Sequence, residues 1–116
     1  VLREVEEDDD RKFMLDLFRM TILHSTEYEE MIDEKAKNWE FDRIALMDTI
    51  LIKLALAELL EFPSIPVKVT LNEYIDISKY YSSAKSKVFI NGILDKLIMD
   101  LKEKKMIKKT GRGLME

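Results

Sequence analysis

His24 is the single histidine of the chain, and Glu27 follows it by three residues. On a helix that spacing sets an imidazole and a carboxylate on one face, the types that ligate a metal or exchange a proton. Without a second histidine or any cysteine the pair makes an incomplete metal site, so His24 is expected at the surface or at a helix junction. No glycine-rich phosphate loop, nucleophile elbow or His–carboxylate–hydroxyl set accompanies it. No catalysis, cofactor or metal is therefore expected.

A second constellation is more suggestive. Around a polar loop that begins at Ser82, Lys85 and Lys87 flank Ser86 at the start of a helix, with Phe89 one turn in. Helix N-terminal amides, a hydroxyl, two ammonium groups and an aromatic face suit a phosphodiester carrying an unstacked base. The same residues also occur as plain capping with solvated lysines. Asp42, Asp48 and Glu58 lie along a mainly apolar segment and read either as its solvent-facing ends or as part of a surface that docks a basic protein. Trp39 reads as a core aromatic, and the scattered methionines as core filler.

These residues need a scaffold. With 116 residues the chain has room for one domain, and 47% hydrophobic against 36% charged residues, three Gly and two Pro fit a helical globule. The net charge of −4 argues against a generally basic nucleic-acid binder. It hides a split, however: residues 1–58 hold eight basic and sixteen acidic side chains, whereas 59–116 hold eleven basic and seven acidic. An anion-binding surface is thus expected from the second half. The lack of cysteine fits a reducing cytoplasm, the acidic opening is unlike a secretory signal, and charges at 48, 53 and 58 interrupt the longest apolar run, so no membrane span is expected. A first residue that is Val and not Met suggests that the chain is a piece of a longer one.

Three segments follow. Residues 1–10 read as an acidic, flexible leader with order beginning near Arg11; 11–101 as the helical domain; 102–116 as a basic tail that frays. Within the domain, Phe13, Met14, Leu17, Phe18 and Ile22 recur as one helical stripe. Thr26 and Glu29 have the spacing of a capping box for a second helix. Asp42–Glu61 is apolar on nearly every side and is expected as the central helix. Pro63 and Pro66 stop it. Val67–Leu71 alternates like a strand, but Pro66 suits the first turn of a helix and no partner strand exists, so helix is expected. Ser86 is expected to cap the last helix, where Gly92 suggests the close approach of a neighbour or ligand.

Four blocks then carry a resemblance: Trp39-Glu-Phe-Asp-Arg-Ile-Ala45, Met47-Asp-Thr-Ile-Leu-Ile-Lys-Leu-Ala-Leu-Ala-Glu-Leu59, Ile65-Pro-Val-Lys-Val-Thr-Leu-Asn-Glu73 and Phe89-Ile-Asn-Gly-Ile-Leu-Asp95. In this order and spacing they resemble the C-terminal part of the NusB family of bacterial transcription antitermination factors. The resemblance implies an all-α, compact helical bundle, with about five of the family's helices present. It also implies a non-catalytic protein that binds boxA RNA together with the ribosomal protein NusE in an RNA polymerase antitermination complex. On that pattern Lys85, Ser86 and Phe89 face RNA with Lys87 and Asn91 adjacent, and Asp42, Asp48 and Glu58 are candidates for the NusE side. The family's arginine-rich first helix has no counterpart, which would weaken phosphate binding. The alternatives are a NusB-like accessory domain of an RNA cytosine methyltransferase and a purely protein-interacting helical domain; a homodimer is left open.

Overall fold

The computed structural model describes residues 2–37, 46–81 and 83–115. Among these residues five α-helices, α1 (Leu2–Leu23), α2 (Ser25–Ala36), α3 (Leu46–Glu61), α4 (Val67–Tyr81) and α5 (Ala84–Glu103), precede a 3-10 turn, Gly111–Leu114. Among the described residues there is no strand and no helix long and apolar enough to cross a membrane. The fold is the all-α bundle expected.

α3 is the axis of the core. Ile52, Ala55, Leu56, Ala57 and Leu59 are all but fully buried, because α1, α2, α4 and α5 each pack against this helix. A helix apolar all round needs such enclosure. Residues 42–45, the start of the expected central helix, and Trp39 lie outside the described residues. Lys53 ties α3 to α2, donating to Ser25 Oγ at 2.9 Å and approaching Glu29 at 3.6 Å.

α4 is helical where its opening pattern alternates. The Pro66 carbonyl accepts from the amides of Val69 and Thr70, at 3.1 and 3.2 Å, which starts the helix without needing an N–H from proline. Its buried stripe is Thr70, Tyr74 and Ser78, four residues apart and polar, so hydropathy alone blurs the period. α5 buries Phe89, Ile90, Ile93, Leu94, Leu97, Ile98 and Leu101, as its spacing predicts, and Gly92 is half-buried.

The boundaries differ from expectation in four places. α1 starts at Leu2, well before Arg11, and Glu7–Asp10 are exposed on it. Acidic residues near a helix N-terminus are favoured by the dipole, and Asp8 lies four residues before Lys12, a spacing that supports a helix. The single stripe of α1 splits in two: Phe13, Leu17 and Met20 pack on the core, Phe13 edge-on to Phe62 at 5.2 Å, while Met14, Phe18 and Ile22 stay exposed. No capping box forms at α2, because helical bonds run through the junction: the His24 amide donates to Met20 O and the Tyr28 amide to His24 O. The basic tail folds back onto α3 and places Gly113 in a buried position.

Candidate nucleic-acid interface

α4 ends at Tyr81 and α5 begins at Ala84, so the two helices are joined by a tight connection. Ser83, and not Ser86, is the cap: its hydroxyl accepts from the Ser86 amide at 3.2 Å, while its carbonyl accepts from the Lys87 amide at 3.1 Å. Ser86 therefore sits one turn inside the helix with its amide already occupied, and its side chain is half-buried. Lys85, Lys87 and Asn91 are exposed. Among the described residues neither lysine has a carboxylate partner, whereas Lys79 is bridged to Asp76 at 3.0 Å.

Phe89 does not belong to this surface. It is 1% exposed and packs in the core beside Ile90 and Ile93, because residue 89 falls on the same helical stripe as 93 and 97. Aromatic faces are available from other residues. Tyr80 and Tyr81, at the end of α4, are 85% and 66% exposed. Sequence reasoning missed them, although the stripe Thr70–Tyr74–Ser78 already leaves Tyr80 off the buried face.

The acidic set fares differently. Glu58 is 2% and Asp48 3% exposed, so neither side chain lies on a docking surface; Asp42 lies outside the described residues. Glu58 is an internal acceptor for Thr70 Oγ1 at 3.2 Å and for the Tyr74 hydroxyl, which joins α3 to α4. Burial raises the Glu58 carboxyl above the usual carboxylate range, against the lowering effect of those two hydrogen bonds. Burial, and then the adjacent Glu58, raise the Tyr74 hydroxyl. Along α3 it is the apolar Leu46, Met47 and Ile50 that are exposed while Asp48 and Glu58 are buried, so the polarity of a residue does not mark the outer face of this helix.

His24 lies at the α1–α2 junction, with Nδ1 3.5 Å from Glu27 and Nε2 3.4 Å from Glu61. Both ring nitrogens face carboxylates, and the described residues hold no group of three or more ligand types that could bind a metal ion. The arrangement links helices. Chemically, then, the junction of α4 and α5 offers two unpaired ammonium groups, an exposed amide side chain and two open aromatic rings, the donors and stacking faces that hold single-stranded nucleic acid.

Comparison with known proteins places the chain in a family. A family model described as NusB family matches residues 2–99. A transcription antitermination protein NusB of Salinibacter ruber is 42% identical over 110 residues, which cover 95% of this chain and 69% of that protein. Its namesake in Chloroherpeton thalassium is 38% identical over 106 residues, covering 91% and 50%, and that of Koribacter versatilis is 36% identical over 95 residues, covering 82% and 65%. The chain thus spans from half to about seven-tenths of the length of these relatives.

Proposed function

The chain belongs to the NusB family, and from that premise we propose that it acts in transcription antitermination by holding boxA-type RNA together with NusE in a cytoplasmic RNA polymerase complex. The observation that carries the RNA part is the exposed cluster at the α4–α5 junction, Tyr80, Tyr81, Lys85 and Lys87, with Asn91 one turn further along α5. Two lysines would neutralise phosphates, and the tyrosines would stack on bases at about 1–3 kcal/mol each. RNA is held and not altered, so the role requires neither a catalytic group nor a cofactor. NusE is proposed as the protein partner without Asp48 or Glu58 as contacts, since both face inward.

Titration of labelled boxA RNA, with and without NusE and at two salt concentrations, tests this reading. Binding is expected, tighter with NusE, and the paired change Lys85→Glu with Lys87→Glu should lower both affinity and salt slope. Absence of binding by the unaltered chain in either condition would refute it.

A further inference from the structure

The last fifteen residues oppose the charge of the whole chain. Lys102–Glu116 contains six basic and two acidic residues in a protein of net charge −4. This segment is a fixed clasp. Lys105 takes a left-handed conformation, φ 57°, and the amides of Lys105 and Met106 donate back to Lys102 O and Leu101 O at 3.0 and 2.9 Å, which closes α5 and reverses the chain. Ile107 then packs against the core. Lys109 Nζ donates to Glu58 O at 3.2 Å and Phe62 O at 3.0 Å, a second donor to carbonyls that also accept from the amides of Phe62 and Ile65 at 3.3 and 3.2 Å. The Thr110 amide donates to Pro63 O at 3.0 Å, and Gly113 lies so close that an added Cβ would stand 1.9 Å from that same oxygen.

These anchors use one cation, Lys109, and Asp100 holds another, Lys104, at 2.9 Å. Lys102, Lys105, Lys108 and Arg112 remain exposed, with no carboxylate partner among the described residues. Lys102, Lys108 and Lys109 border a hollow of about 460 Å³ whose lining includes no acidic side chain. Met115 also lines a second hollow, of about 470 Å³, that is bordered by Lys68 and Arg112, again without an acid. Cations that border the same hollow repel one another, and a polyanion relieves that repulsion while releasing its own counterions.

Resting on the RNA reading above, we infer that the clasp is a second phosphodiester-binding surface, which takes the backbone of the same RNA on Lys68, Lys102, Lys108 and Arg112. It lies at the far end of the α4–α5 pair from Lys85 and Lys87. At 1.5 Å per residue, α4 and α5 separate the two surfaces by roughly 22–30 Å, so only RNA toward the long end of the roughly 4–16 nucleotide range of single-strand sites reaches both.

The length dependence supplies the test. The full chain, with NusE present, is titrated with boxA RNA of about 16 nucleotides and with a piece of about 4. The triple variant Lys102→Gln, Lys108→Gln, Arg112→Gln is compared with the double variant Lys85→Gln, Lys87→Gln; thermal melting confirms that both fold. The triple variant should bind the long RNA about tenfold or more weakly, with a salt slope smaller by about 2, and the short piece as the unaltered chain does. Unchanged binding of the long RNA by the triple variant, beside weakened binding by the double variant, overturns the clasp and leaves the RNA reading standing. Equal losses on both lengths also overturn it, since a distant surface cannot act on a short ligand. Failure of the unaltered chain to bind either RNA overturns both.

Discussion

In α3, Leu51, Ile52, Leu56 and Leu59 are enclosed by four other helices, and even a carboxylate is taken inside. In α1, Met14, Leu15, Phe18, Ile22 and Leu23 are apolar too, yet they are 48–76% exposed. The difference is one of neighbours. Helical spacing groups apolar residues on a face, but burial depends on what packs there, and among the described residues that α1 face is uncovered. A buried polar residue in such a helix must find its partner inside, as Glu58 does with Thr70 and Tyr74.

Substitutions can break this contrast. Leu56→Ala in α3 should be the most damaging, at about 2–5 kcal/mol, because a fully enclosed side chain leaves a cavity. Urea unfolding measures it, and a loss below 1 kcal/mol on that scale would mean that α3 is not enclosed. Glu58→Ala should cost about 1–3 kcal/mol by leaving the hydroxyls of Thr70 and Tyr74 without their acceptor. The sign of the pH dependence follows from burial raising the Glu58 carboxyl in the folded state. The folded protein then holds its proton where the unfolded chain has released it. Stability from this group is full below the ordinary glutamate range and is lost as pH rises through the raised folded value. Melting of the wild type should thus fall relative to Glu58→Gln over that window, and parallel profiles would contradict the burial. Phe18→Gln on the exposed face of α1 should change stability by no more than about 0.5 kcal/mol. A loss as large as that of Leu56→Ala would show that this face is covered in solution.

Much of this was legible in residue spacing. α5 follows its apolar period, α3 was recognisable as central from apolar residues all round, and Pro66 marked the start of a helix despite the alternation after it. The site was half legible. Lys85, Lys87 and Asn91 are exposed, whereas Phe89, which the family pattern and its place one turn into α5 set beside the lysines, lies in the core. Tyr80 and Tyr81 are the open rings, and their exposure depends on how the end of α4 packs, which their place just before the loop at Ser82 does not reveal. Charge and the family pattern both point Asp48 and Glu58 to a surface, and burial overrides this; for Glu58 the reason is that Thr70 and Tyr74 are buried beside it.

By itself the sequence determined the helical class, the order of the elements, the apolar stripe of α5 and the concentration of positive charge in the second half, because each depends on spacing or composition along the chain. Tertiary structure decided which apolar face is covered, where the acids lie and how the C-terminal lysines are used. Lys109 reads like any other tail lysine until the carbonyls of Glu58 and Phe62, some fifty residues away, come within reach of its ammonium group. Such choices depend on groups distant in the chain, and only packing brings those groups within reach.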